Sequence, residues 1–120
     1  MVDHKSGPLS GIRVVELTIG GVGPGAAKIL ADFGADVIKV ESAKRPDGLR
    51  GAIPEKWEAA YHFAHYNRNK KGIDIDLKVP ENQNILHKLV SISDVFIENY
   101  APGVTKRLGA DYDTLVKFNP

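Results

Sequence analysis

Apolar and polar positions fall along this chain in short blocks whose periods assign them. Ile12-Arg13-Val14-Val15-Glu16-Leu17 is brief, apolar and β-branched, the pattern of a buried strand. Residues 18–25 hold four glycines and a proline and predict a turn. Residues 26–33 predict a helix, with Ile29, Leu30 and Phe33 at helical spacing and Gly34 as its stop. Residues 36–41 predict a second strand, and residues 42–55, rich in Gly, Pro and charge, a long surface loop. Residues 57–66 predict a short helix with an aromatic face, and residues 67–71 a polar turn. From residue 72 to residue 77, Ile73, Ile75 and Leu77 alternate with Asp74 and Asp76, which predicts a strand with one wet face. Pro80 suits the first turn of a helix whose buried stripe is Ile85, Leu86, Leu89 and Val90. A strand over 94–98, a turn over 99–103 and helices over 104–108 and 111–118, the last capped by Asp111, complete the pattern.

Strands alternating with helices predict an α/β fold, a Rossmann-like parallel sheet with flanking helices. Residues 1–10 read as a flexible leader and residues 11–120 as part of one domain. The pattern breaks off after a helix, where another strand is due, so the domain is expected to continue past Pro120.

Composition narrows the function classes. A net charge of +1 from 16 basic and 15 acidic residues lacks the basic excess of a nucleic-acid binder. With no cysteine there is neither a disulfide nor a thiolate metal site, which fits a reducing cytoplasm. No apolar run approaches the roughly 20 residues of a membrane helix, and no secretory signal is expected.

The segment Gly21-Val22-Gly23-Pro24-Gly25-Ala26 follows a predicted strand and precedes a helix, with Glu41 at the end of the next strand. A dinucleotide site asks for that order: glycines admit a pyrophosphate and the acid holds ribose hydroxyls. Pro24, however, lacks one N–H of such a cradle. The plainer reading is a tight strand-to-helix turn.

Several blocks together resemble family III CoA-transferases, which include formyl-CoA:oxalate and carnitine CoA-transferases and α-methylacyl-CoA racemase. Gly23-Pro24 is similar to the family's Ala-Gly-Pro turn. Residues 30–41, Leu-Ala-Asp-Phe-Gly-Ala-Asp-Val-Ile-Lys-Val-Glu, resemble its helix-to-strand signature. Asn67-Arg68-Asn69-Lys70-Lys71 with Asp76-Leu77-Lys78, then residues 94–104 with Arg107-Leu108-Gly109, resemble its second and third blocks. The resemblance implies the N-terminal part of an α/β domain in a larger protein whose two subunits interlock as a cytoplasmic homodimer. It implies an enzyme moving CoA between an acyl-CoA and a carboxylic acid, through a nucleophilic aspartate beyond Pro120 and absent from these residues. It implies no bound cofactor and no metal, only coenzyme A as substrate. Gly21 and Val22 would face the thioester, Ile75, Asp76, Leu77 and Lys78 the adenine and phosphate end, Asn99, Tyr100 and Ala101 a second CoA-contacting turn, and Arg107 a phosphate. Ser42 stands where many members carry an arginine, which leaves Lys44, Arg45 or Arg50 to supply that charge. Gly21 stands where some transferases carry a glutamine, which leaves transferase and racemase both open. A stand-alone dinucleotide module and a non-catalytic split subunit are the alternatives.

His62 and His65 lie three apart but lack a third ligand, so packing or surface roles are expected. Arg68, Lys70 and Lys71 read as a solvated turn, Asp74 and Asp76 as a wet strand face, and Trp57 as packing.

Overall fold

The computed structural model describes residues 6–120. The apolar β-branched runs form parallel strands: β1 (Arg13–Leu17) pairs on one side with β2 (Asp36–Glu41) and on the other with β4 (Val95–Glu98). Strand β3 (Lys71–Asp74) lies outside β2, giving the order β3-β2-β1-β4. The register sets Val14 beside Val37 and Glu16 beside Lys39.

Because side chains alternate across a strand, β1 feeds both faces of the sheet. Val14 and Val37 face helix α1 (Val22–Asp32) and pack with Ala27, Ala31 and Ala35. Val15, Leu17 and Val40 face the other way. They meet Leu86 and Val90 of α3 (Pro80–Ser91), Leu115 of α5 (Tyr112–Leu115), and Ile75, Leu77 and Ala110. Between these elements lie α2 (Tyr61–Asn67), preceded by 3₁₀ turns at Gly48–Arg50 and Pro54–Ala59, and α4 (Val104–Arg107). The α/β parallel architecture expected from the sequence is the one observed.

Several local expectations need correction. Helix α1 starts at Val22, so Gly23, Pro24 and Gly25 are its first turn rather than part of a loop. Pro24 fits there because helical N–H groups in the first turn have no intrahelical partner to lose. The buried face of α1 is its small-residue face, Gly23, Pro24, Ala27 and Ala31, whereas Ile29 and Phe33 are 54% and 52% exposed. Close approach of the helix to the sheet selects small residues on the inner face. In α3 the stripe is narrower than expected: Leu86 and Val90 are buried, but Ile85 is largely exposed. β3 ends at Asp74, and Ile75 and Leu77 enter the core from the loop beyond it. The predicted helix over 57–66 is split between the Pro54–Ala59 turn and α2. Asp111 precedes α5, but its carboxylate accepts the Thr114 hydroxyl (2.6 Å) rather than capping a helix N–H.

Of the leader expected over 1–10, residues 1–5 lie outside the described residues. Residues 7–10 form a turn whose Leu9 N–H donates to the Phe33 carbonyl and whose Leu9 side chain packs on the α1-side core.

Candidate functional site: a cationic cleft and a clamped loop

In an open parallel sheet the crevice lies at the carboxyl ends of the strands, where connections leave in opposite directions. Here β1 continues through α1 to β2 on one flank, while β4 lies on the other. At that end a cavity of about 640 Å³ opens, lined by Leu17–Ile19 after β1, Val40–Ser42 with Lys44 and Arg45 after β2, Ile75–Lys78, Tyr100, and Val104, Arg107 and Leu108. Its floor is apolar: Leu17, Val40, Ile75 and Leu77 are buried.

Its rim is charged. Lys44 Nζ lies 3.3 Å from Asp76 Oδ2, and Asp76 Oδ1 accepts the Lys78 N–H (3.1 Å). The Lys78 backbone N–H first, then Lys44, hold the Asp76 carboxyl below the usual carboxylate range, so it remains ionised. Glu41 is fully engaged: Arg50 donates to both of its oxygens at 2.8 Å, and the Asp47 N–H adds a third bond. Arg50 also stacks over Phe63, 3.6 Å from the ring centroid. With the two acids matched, Arg45, Lys78 and Arg107 have no ion pair among the described residues. Burial, then the Asp47 and Glu41 carboxylates, push the Tyr100 phenol up, which keeps it a neutral donor.

Beneath the loop between β1 and α1 lies a buried ionic cluster that sequence reasoning missed. Lys39 Nζ donates to the Thr18 carbonyl (2.8 Å) and reaches Glu16 Oε1 (3.4 Å) and Asp47 Oδ2 (3.3 Å). Lys70 Nζ lies 2.8 Å from Glu16 Oε2 and donates to the Pro24 carbonyl and Asn67 Oδ1, each at 2.9 Å. The Thr18 hydroxyl donates to Glu16. All four charged side chains are at most 3% exposed. The signal was present: an acid and a base each interrupt an apolar strand, and parallel pairing places them side by side. Lys70, expected on a solvated turn, is buried instead. Desolvation pulls its ammonium down, opposed by Glu16.

Among the residues singled out by sequence, Ile75, Asp76, Leu77, Lys78, Tyr100 and Arg107 come together around the cavity. Gly21, Val22, Asn99 and Ala101 do not line it. Gly21 and Val22 begin α1, with Gly21 beside Tyr66. The Asn99 amide is turned onto the loop backbone, accepting from the Ile19 N–H (3.0 Å) and donating to the Ile19 carbonyl (2.9 Å). Of the cations weighed for the place of Ser42, Lys44 and Arg45 face the cavity and Arg50 does not. His65 stacks with Tyr61 and meets Tyr66 edge-on, and both histidines are exposed.

The family model for CoA-transferase family III matches residues 9–120. A succinate–glutarate CoA-transferase of Agrobacterium fabrum is 42% identical over 98% of this chain and 31% of its own length. A formyl-CoA:oxalate CoA-transferase of Afipia carboxidovorans is 39% identical over 93% of this chain and 27% of its own. The crystal structure of a CAIB/BAIF family protein from Brucella suis superposes with a TM-score of 0.85 at 39% identity, covering 95% of this chain and 31% of that one. The chain thus spans less than a third of each of these three relatives, and it belongs to CoA-transferase family III.

Proposed function

We infer that these residues form the coenzyme-A-binding part of an enzyme that moves CoA between an acyl-CoA and a carboxylic acid. The carrying observation is the cleft itself, three unmatched cations above an apolar floor at the carboxyl ends of the strands. Coenzyme A joins a flat adenine to a pyrophosphate and a 3′-phosphate. Ile75, Leu77 and the Tyr100 ring suit the base, while Arg45, Lys78 and Arg107 suit the phosphates, with arginine able to engage one bidentately. The thioester end reaches the start of α1, where the Gly21 and Val22 N–H groups meet the acyl oxygen. Ala101, next to Tyr100, borders the same ligand from the β4 side, while the Asn99 amide is turned onto the loop after β1. The nucleophilic carboxylate comes from chain beyond Pro120, so these residues alone carry no turnover. Two full-length subunits work as a homodimer in the cytoplasm.

The dinucleotide reading needs Glu41 free for ribose, and Arg50 occupies both of its oxygens. Calorimetry with CoA and with NAD on the full-length protein tests the choice. Arg107→Ala is expected to weaken CoA binding by about 1.5–3 kcal/mol, the scale of a lost charge-assisted bond, and Glu41→Ala by much less. NAD binding that disappears with Glu41→Ala, in a protein that binds no CoA, would overturn the assignment.

A further inference from the structure

Burying four charges is costly, and replacing such a set with well-packed apolar groups is often neutral or stabilising. The cluster of Glu16, Lys39, Asp47 and Lys70 therefore calls for another explanation, and its contacts supply one. Three of its members end on main-chain groups of a single segment, and the fourth, Glu16, accepts the Thr18 hydroxyl. Lys39 holds the Thr18 carbonyl, the Asp47 carboxylate accepts the Gly20 N–H through both oxygens (3.1 and 3.3 Å), and Lys70 holds the Pro24 carbonyl. Asp47 is itself fixed, accepting the Leu49 N–H (3.0 Å) and donating its own N–H to Glu41.

From the opposite flank Asn99 grips both backbone groups of Ile19. The space it uses exists because residue 23 is glycine: a Cβ there would come 2.8 Å from Asn99 Cγ and 2.7 Å from Thr18 Cβ. Residues 18, 19, 20 and 24 are thus held, and they bracket Gly21 and Val22. Gly20, at φ +75°, supplies the left-handed bend that this path requires.

We propose that Asp47 and Asn99 are positioning residues, which with Lys39 and Lys70 lock the segment from Thr18 to Pro24 so that the Gly21 and Val22 N–H groups are aimed at an acyl oxygen before any ligand arrives. This rests on the coenzyme A reading of the cleft. Donors held in place in advance stabilise a developing oxyanion without reorganising, whereas a mobile loop loses that advantage. The proposal gives Asn99 a role through the loop rather than on the ligand.

The experiment uses the full-length protein and two probes, CoA and its stable S-acetonyl thioether, which carries a carbonyl near the thioester position. Wild type is expected to prefer the ketone. Asn99→Ala should erase that preference, roughly a tenfold loss, with CoA affinity unchanged within about threefold. Asn99→Asp, which keeps an acceptor for the Ile19 N–H but no donor for its carbonyl, should fall between. Asp47→Asn, which keeps an acceptor for Gly20, should lose less than Asp47→Ala. Hydrogen exchange at Ile19 and Gly20 should quicken at least tenfold in the alanine variants and stay unchanged in Arg107→Ala. Equal weakening of CoA and ketone by Asn99→Ala, with exchange unaltered, would make Asn99 a direct ligand and overturn the proposal. So would a wild type indifferent to the ketone. If wild type binds neither probe, the coenzyme A reading fails, and exchange still decides the clamp. If the Asp47 variants fail to fold, the exposed Asn99 pair carries the test.

Discussion

Glu16 and Lys39 show how much two charged residues govern here. Each sits within an apolar strand, and parallel pairing puts them side by side under α1. Lys39→Met would leave Glu16 and Asp47 buried with only Lys70 as a counter-charge. Breaking a buried ion pair on one side costs about 3–5 kcal/mol, and urea unfolding of this variant should register a loss of that order. Glu41→Gln removes only part of the bidentate Arg50 bond, since the amide oxygen still accepts from Arg50, so a smaller loss of about 1–2 kcal/mol is expected from the same measurement. Of the residues that the family resemblance implied, Ile75, Asp76, Leu77, Lys78, Tyr100 and Arg107 line the cavity, whereas Asn99 and Ala101 flank Tyr100 without lining it. The ionic cluster was not legible in the sequence, because its four residues are far apart there: strand register joins Glu16 to Lys39, but Asp47 and Lys70 come from the loop after β2 and the turn before β3. Asn99 was expected to contact CoA, and the direction of its amide, onto Ile19, depends on the loop opposite it, which the sequence does not display.

At the scale of elements, strand positions were the most legible, since β-branched runs and their flanking turns mark them, although β3 stops at Asp74, before the alternation does. Helix faces were less so. α1 presents small residues to the sheet and Ile29 and Phe33 outward, the reverse of what hydrophobicity alone predicts, because the sheet admits the helix only at short range. Gly23→Ala tests that close fit. Thr18 and Asn99 would have to give way, and a thermal melt is expected to show a loss of about 1–3 kcal/mol, typical of overpacking. The C-terminal end of α1 is tied down differently. Arg68 donates to both oxygens of Asp32, and the Asn69 amide adds a third bond. Chiefly through the Arg68 bond, the Asp32 carboxyl is held below its ordinary value of 3.8. A carboxyl with a lower pKa in the folded state binds fewer protons there than in the unfolded chain. Its stabilising contribution is therefore complete above pH 4 or so and is lost as pH falls through the folded value. The site is largely open to solvent, so the effect is small. Comparing acid unfolding of wild type and Asp32→Asn should show the two converging once pH falls below the lowered folded value, with wild type modestly more stable at pH 6.

For the molecule as a whole, the sheet leaves two edges, and they differ. β3 is short and presents Lys71 and Asp74, charged residues of the kind that blunt an edge against pairing. β4 reads Val95-Phe96-Ile97-Glu98 and carries a single charge at its far end. Beside it runs a groove of about 450 Å³ shared with α5, lined by Val95, Phe96, Tyr112, Leu115 and Val116 among others. Val95 and Tyr112 are 39% and 79% exposed, and Ile92, just before the strand, is 62% exposed. An apolar strand edge next to a partly apolar groove, which also carries Asp94, Glu98 and Asp111, is a template for another strand. The isolated 120-residue chain is accordingly expected to associate as its concentration rises, and light scattering will follow the increase in mass. Val95→Lys puts a charge at the start of β4 without touching the core, since Val95 is the strand's exposed first residue. It should shift association to at least several-fold higher concentration while leaving the melting transition nearly in place. If Val95→Lys scatters like wild type while Ile29→Lys or Phe33→Lys suppresses association, the sticky surface is the outer face of α1 and not the sheet edge. A wild-type chain that stays monomeric with a sharp melting transition would show that β4 and its groove are adequately covered by the fold itself.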